Sequence, residues 1–188
     1  MFINNLLSSD ILKITAFREE DVDVVTKWYE DYKFLRFFDY NPAAPLHKEK
    51  VRQWLLQEIN NENNFFFVIR DKNEEEMIGY IEIEEINWSN GVGTIAMGIG
   101  NNLNRGKGYG KEALSLVMEF AFMELNLHRL QLITISYNTI AIKLYESLGF
   151  KKEGVLREAV KRDGFRYDIY QYGILLNEWN KVRDKKDR

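Results

Sequence analysis

The chain has no cysteine and only two histidines, His47 and His128, among its 188 residues. Without cysteine there is no disulfide framework and no thiol nucleophile, and a Cys/His zinc site is excluded. We therefore expect no metal site. Any catalysis must rely on oxygen acids, backbone dipoles or a bound cofactor.

Long apolar runs and clusters of basic residues are also missing. No apolar stretch approaches the ~20 residues of a membrane-spanning helix, and residues 1–7 lack the basic and apolar regions of a signal peptide. The formal net charge is -3, with Lys and Arg spread along the chain, whereas phosphate-backbone binding needs clustered cations. We expect a cytoplasmic protein that binds neither nucleic acid nor membranes. The acidic balance fits a cationic substrate.

What the chain does contain is enough apolar residues, 45 %, to fill one core. Its length lies within the ~100–200 residues usual for one domain, and no linker or internal repeat divides it. We predict a single domain over residues 1–188, with a core over about 11–176 and a polar tail over 177–188.

Hydrophobic periodicity predicts the order β-α-α-β-β-β-α-β-α-β-β. Helical spacing predicts helices over residues 19–29, 48–59, 111–124 and 141–148. Alternation and short apolar runs predict strands over residues 11–17, 65–69, 77–86, 94–99, 130–135, 155–156 and 167–176. The aromatic stretch 34–46, which holds both prolines, is predicted to be an irregular loop.

This order indicates an α/β fold of the α+β kind, in which a mixed, mostly antiparallel seven-stranded sheet is flanked by four helices. A parallel crossover is expected across the helix over 111–124. The aromatic strand over 167–176 could pair edge to edge with a second copy, which leaves a homodimer open.

A glycine-rich turn, Arg105-Gly106-Lys107-Gly108-Tyr109-Gly110, lies between a predicted strand and a predicted helix. Backbone N–H groups at the positive end of a helix dipole bind anions, and glycines let a pyrophosphate approach without Cβ obstruction. A glycine turn without a ligand is the alternative. A dinucleotide site is excluded because the GxGxxG spacing and the βαβ context are missing, and a Walker loop because no GxxxxGK precedes Ser or Thr.

The element order, the segment RGKGYG fitting (Gln/Arg)-x-x-Gly-x-(Gly/Ala), and the run from Asn138 to Phe150 together resemble the GNAT superfamily of N-acetyltransferases. The resemblance covers residues 11–176. Segments 128–130, 138–150 and 164–168 are similar to the branch that acetylates ribosomal-protein N-termini and to its spermidine-acetylating relatives. The resemblance implies that acetyl-coenzyme A is the cofactor and that a primary amine attacks its acetyl group directly within a ternary complex. That acceptor is a protein N-terminus, a polyamine or another small amine.

The resemblance also implies the cofactor-binding residues. In such proteins the fourth strand splays from the fifth, and the pantetheine arm hydrogen-bonds to the exposed strand backbone, here Met97, Gly98 and Ile99. Alternatively, Gly98 marks a bulge. The other implied cofactor-binding residues are Arg105, Gly106, Lys107, Gly108, Tyr109, Gly110, Lys111, Asn138, Ala141 and Lys143.

Tyr145 is the catalytic acid that the resemblance implies. It follows Asn138 by seven residues, so the two lie on one helical face. A tyrosine titrates near ~10 and is neutral at pH 7, so it can donate to the departing thiolate. The alternative is that Tyr145 only packs in the core beside Phe150.

The sequence assigns no general base, because Thr94 stands where many relatives have a glutamate. Glu82 and Glu84 on the neighbouring strand are the nearest carboxylates, and alternation places them on one face and Glu85 on the other. The candidate acceptor-binding residues are Phe38, Asp39, Glu82, Glu84 and Tyr167. Solvated glutamates and core aromatics are the plainer interpretations. A coenzyme A-binding module without turnover is the alternative function.

Overall fold

The computed structural model describes residues 7–100, 104 and 106–186. The strands are β1 (Leu12–Thr15), β2 (Phe65–Asp71), β3 (Met77–Asn87), β4 (Val92–Ile99), β5 (Arg129–Ile135), β6 (Lys151–Arg162) and β7 (Phe165–Leu175). The helices are α1 (Asp21–Glu30), α2 (Tyr32–Phe38), α3 (Lys48–Ile59), α4 (Tyr109–Met123), α5 (Thr139–Ser147) and α6 (Leu176–Lys186). Within the described ranges, no helix is both long enough and apolar enough to cross a bilayer.

The seven strands form one sheet in the order β1-β2-β3-β4-β5-β7-β6. Only the β4–β5 pair is parallel, and α4 supplies its crossover, as the sequence predicted. These two strands pair only over residues 92–94 and 129–131, although β4 continues to Ile99 and β5 to Ile135. The sheet therefore opens between β4 and β5 beyond Thr94.

The sheet separates two apolar clusters because successive side chains of a strand point to opposite faces. On β3, Ile81 and Ile83 pack with the cluster that contains the buried face of α4. Tyr80, which directly precedes Ile81, packs with the aromatic cluster of α1, α2 and α3. A ligand that passes between β4 and β5 therefore reaches both sides of the protein.

The described chain has six helices, two more than the sequence predicted. The first, α2, lies in the expected aromatic loop, where Asp31 caps it by accepting the N–H of Lys33 at 2.8 Å. The second, α6, lies in the expected polar tail, where Trp179 is buried against Phe122 with ring centroids 5.0 Å apart. In both segments tertiary packing orders a helix that composition alone does not indicate.

β7 is not an edge strand, so the suggestion that it could pair edge to edge with a second copy is wrong. It lies between β5 and β6 and is hydrogen-bonded on both sides, so the edge strands are β1 and β6. Most of β6 is exposed, including Val155 and Leu156. A strand with little burial shows little alternation, which is why the sequence predicted only two of its residues.

Candidate active site

A cavity of about 960 Å³ lies where β4 and β5 diverge. Its lining includes Gly110 of α4 and Tyr145 of α5 together with Tyr29, Phe38 and Trp54 of α1, α2 and α3. The cavity is therefore continuous from one face of the sheet to the other. Its volume falls within the ~300–1,000 Å³ typical of small-molecule sites.

The glycine-rich turn leads into the first turn of α4 through left-handed backbone. Gly106 has φ 78° and Gly108, the N-cap residue, has φ 88°, a conformation that side chains other than glycine rarely adopt. The Gly108 carbonyl accepts the N–H of Glu112 at 3.0 Å. The amides of residues 109–111 precede this first intrahelical bond and are left for another acceptor.

In the glycine-rich turn, the side chains contribute less to a possible anion site than the backbone amides do. Gly106, Gly108, Tyr109, Gly110 and Lys111 all line the cavity. Lys107 is exposed and outside the lining, with its Nζ 3.5 Å from Asn104 Oδ1. Arg105 lies outside the described residues. The geometry is that of an anion site built chiefly from backbone amides.

The β4 residues Met97, Gly98 and Ile99 also line the cavity, beyond the point where β4 leaves β5. Their pairing with β3 is regular, so the interpretation of Gly98 as a bulge is wrong. A Cβ on Gly98 would lie 3.1 Å from ring atoms of both Phe34 and Phe38. Glycine at this position lets the rings of α2 pack on the strand.

The side chain of Asn138 links α5 to α2 through hydrogen bonds. Its Oδ1 accepts the N–H of Ala141 at 3.2 Å, which caps α5, and its Nδ2 donates to the Phe37 carbonyl at 3.1 Å. Asn138, Ala141 and Tyr145 line the cavity on one face of the helix. Lys143 is exposed and does not line it, since a residue two positions from Ala141 points to another side of the helix.

Tyr145 is buried, yet its hydroxyl makes no hydrogen bond with any of the described residues. By contrast, Tyr109 and Tyr172 of the same cavity donate to Asp71 at 2.7 Å and to Glu146 at 2.9 Å. Burial raises the pKa of Tyr145 to about 12, so the phenol is neutral at physiological pH. The ring also packs 6.0 Å from that of Phe150, so core packing and a donor facing the cavity coexist.

Two of the three β3 carboxyl groups that line the cavity, those of Glu82 and Glu84, have raised pKa values. Glu82 is 3 % exposed, so its interpretation as a solvated glutamate is wrong. Burial and the nearby charges of Glu84 and Glu58 raise the pKa of Glu82 to about 8. Burial and the charges of Glu85 and Glu58 raise the pKa of Glu84 to about 7. Both carboxyl groups therefore titrate close to neutral pH.

Glu85 lines the same cavity, contrary to the prediction from strand alternation. Its φ is 52° and the β3–β4 register shifts between Glu84 and Asn87. The left-handed backbone at Glu85 breaks the alternation of β3, so the side chains of Glu84 and Glu85 both line the cavity.

The aromatic residues of the cavity differ in part from those predicted. Phe38 and Asp39 line it, but Tyr167 does not, because it packs edge-on against Tyr137 with centroids 4.9 Å apart. Tyr29 of α1 and Trp54 of α3 line it as well, with rings 5.5 Å apart. Because the helical spacing of Tyr29 and Trp54 is the same as that of ordinary core residues, their position in the cavity could not be predicted from the sequence.

The backbone carbonyls just after α2 accept hydrogen bonds from a side chain that is distant in sequence. Arg162, at the tip of the β6–β7 hairpin, donates through Nη2 to the carbonyls of Asn41 at 2.7 Å, Tyr40 at 3.0 Å and Asp39 at 3.3 Å. The neighbouring residue, Asp163, accepts hydrogen bonds from both Nη groups of Arg36 on α2. The hairpin thereby holds segment 39–41, which lines the cavity beside the aromatic residues of α1, α2 and α3.

We expect Arg162→Ala to accelerate amide hydrogen exchange at residues 39–41, because three carbonyls lose their donor together. The free energy of unfolding should fall by less than about 1.5 kcal/mol, since these contacts lie near the surface. Arg166→Ala, on the same hairpin but bonded to the Glu158 carbonyl, is the control. Equal exchange rates in both variants would show that Arg162 does not hold the segment.

Comparisons with known proteins identify the family of this chain. A family profile described as "Acetyltransferase (GNAT) domain" matches residues 12–151. The N-acetyltransferase p20 of Bacillus licheniformis is 28 % identical over 176 residues, covering 92 % of this chain and 97 % of that protein. The spermidine N(1)-acetyltransferase of Escherichia coli is 27 % identical over 149 residues, covering 79 % and 77 %.

A solved structure shares the fold. The crystal structure of spermidine N-acetyltransferase from Vibrio cholerae, in complex with CoA and spermine, superposes with a TM-score of 0.81 over 90 % of this chain and 98 % of that one, at 22 % identity. The profile match extends from β1 to the start of β6, through the parting of β4 and β5 and the first turn of α4. This chain belongs to the GNAT family of acetyltransferases.

Proposed function

We propose that this protein transfers the acetyl group of acetyl-coenzyme A to the primary amine of a small aliphatic polyamine. One observation supports the proposal above the others: a single cavity joins the first-turn amides of α4, the hydroxyl of Tyr145 and the carboxyl groups of β3. The thioester supplies an activated acetyl group, so the protein needs to bind, orient and move protons.

The donor side of the cavity fits coenzyme A. The amides of residues 109–111 would bind the pyrophosphate at the N-terminus of α4, and the exposed Lys107 would add positive charge to the same turn. Beyond Thr94 the β4 backbone is not covered by β5, so Met97 and Gly98 would hydrogen-bond to the amide-containing arm. Tyr145, neutral and without a protein partner among the described residues, would protonate the departing thiolate.

The acceptor side fits a cation on an apolar stem. Glu82 and Glu84 supply carboxyl groups, while Tyr29, Phe38 and Trp54 supply aromatic walls that accommodate methylene groups and attract ammonium groups. Two of the relatives are named as spermidine acetyltransferases. A polyamine satisfies both features, whereas a protein N-terminus offers one cation at the end of a polar backbone.

The test is thiol release from acetyl-coenzyme A with a panel of spermidine, spermine, a diamine and a peptide with a free N-terminus. We expect kcat/KM for spermidine to exceed that for the peptide at least about tenfold, since the peptide buries polar backbone without partners. Acetyl-coenzyme A without any amine gives the hydrolysis background.

Three outcomes separate the alternatives. Preference for spermidine supports the whole proposal. Preference for the peptide rejects the polyamine and keeps acetyl transfer. Tight coenzyme A binding with no thiol release for any amine would instead support the non-catalytic module.

A further inference from the structure

Glu82 differs from the other buried carboxylate that the structure describes. Asp21 is 1 % exposed and accepts two bonds from Arg70, whereas Oε2 of Glu82 has no hydrogen-bond partner among the described residues. A buried carboxyl oxygen without a hydrogen-bond partner costs stability, so its presence calls for an explanation other than stability. The cavity that Glu82 lines is where its partner would bind.

The register of the sheet places Glu82 beside the opening. It lies opposite Ala96 on β4, two residues beyond Thr94, where β4 and β5 part. Glu84 lies opposite Thr94, whose Oγ1 accepts from Gln131 at 3.4 Å across the part of the cleft that is still closed. Of the two carboxyl groups, Glu82 is therefore nearer the place where an amine and a thioester can meet.

We propose that Glu82 is the base that takes a proton from the ammonium group of the acceptor, an inference that rests on the proposed function. The N–H proton moves to a Glu82 oxygen, and the freed lone pair forms the N–C bond to the acetyl carbon. The C–S bond breaks, and Tyr145 protonates the sulfur. The second N–H proton leaves through solvent and restores Tyr145, and Glu82 returns its proton to solvent, so one proton is released per turnover.

The surroundings of Glu82 suit a base for alkylammonium ions. The titratable groups coupled electrostatically to Glu82 are Tyr29 on α1, Glu58 on α3, and Tyr80 and Glu84 on β3. The other titratable groups that line its cavity are Asp39, Tyr40, Glu85, Tyr109, Lys111, Arg129, Tyr145, Glu153 and Tyr172. Burial and the carboxylates raise the pKa of Glu82 to about 8, closer to the ~10.4 of an alkylammonium than the ~4.3 of an ordinary glutamate. The smaller pKa difference lowers the free-energy cost of proton transfer from the ammonium group to Glu82.

The test compares Glu82→Gln with Glu84→Gln and with Glu62→Gln, an exposed glutamate outside the cavity lining. With spermidine as acceptor, we expect kcat/KM of Glu82→Gln to fall at least about 100-fold, and that of Glu84→Gln less than about tenfold. Wild-type kcat/KM should rise with pH up to about 8, as Glu82 loses its proton, and Glu82→Gln should lack this inflection. Methoxyamine binds as the unprotonated amine, so with this acceptor the loss of kcat/KM in Glu82→Gln should be less than about tenfold.

Two further measurements keep the result interpretable. Glu82→Gln should bind coenzyme A as tightly as wild type and should have a higher melting temperature at pH 9, because the buried charge is gone. An active wild type with an undiminished Glu82→Gln, or a deficit as large with methoxyamine as with spermidine, overturns the inference alone. A wild type inactive with every amine overturns the proposed function and this inference together.

Discussion

Tyr145→Phe is expected to lower kcat for acetyl transfer about 10²- to 10³-fold while changing the Kd for coenzyme A less than about twofold. The hydroxyl is the only group removed, and among the described residues it has no hydrogen-bond partner to lose. The ring keeps its packing against Phe150 and Tyr172, 6.0 Å and 6.3 Å away. A loss confined to kcat would assign the hydroxyl to the transition state rather than to binding.

The pH dependence of wild-type kcat sharpens this expectation. Burial raises the pKa of Tyr145 to about 12, so the phenol keeps its proton throughout the range in which the amine and Glu82 titrate. No alkaline loss of kcat from Tyr145 should appear below about pH 10. Tyr167→Phe, which lies outside the cavity lining, is the control and should retain activity. Equal kcat for Tyr145→Phe and wild type would remove Tyr145 as the acid.

The sheet and its opening could be predicted because each depends on local signals in a fixed order. Period-two alternation gave the strands of the meander, and the helix after the glycine turn required a parallel crossover, as β4 and β5 show. The turn itself could be located because left-handed backbone at Gly106 and Gly108 has a composition signature.

The acceptor side depends instead on contacts between distant segments. The short helix α2 lies where the crowding of aromatic residues suggested a loop, and segment 39–41 after it is held by Arg162, more than a hundred residues later. At Glu85 a left-handed φ places the side chain on the side of the cavity, and no neighbouring glycine or proline in the sequence indicates this conformation. Burial of Glu82 likewise comes from the packing of three helices over β3, not from the alternating pattern of the strand itself.

Asp21→Ala is expected to lower the free energy of unfolding by about 3–5 kcal/mol. Asp21 and Arg70 are 1 % and 3 % exposed, and the guanidinium donates to both carboxylate oxygens at 3.0 Å and 2.7 Å. Removing the carboxylate leaves a buried cation whose remaining side-chain bond is to Thr15 at 3.0 Å. It also removes the acceptor of the Arg18 N–H, bonded at 2.8 Å before α1.

Urea unfolding followed by tryptophan fluorescence measures the loss as a lower midpoint at an unchanged slope. The exposed pair of Glu19 and Arg52 provides the matched control, and Glu19→Ala should cost less than about 1 kcal/mol because water screens that pair. Replacing both buried partners, as Asp21→Leu with Arg70→Met, should recover much of the loss, since no unpaired charge is left. If Asp21→Ala cost no more than Glu19→Ala, solvent would have to reach Arg70, and the packing of β1 and α1 over β2 would be looser than described.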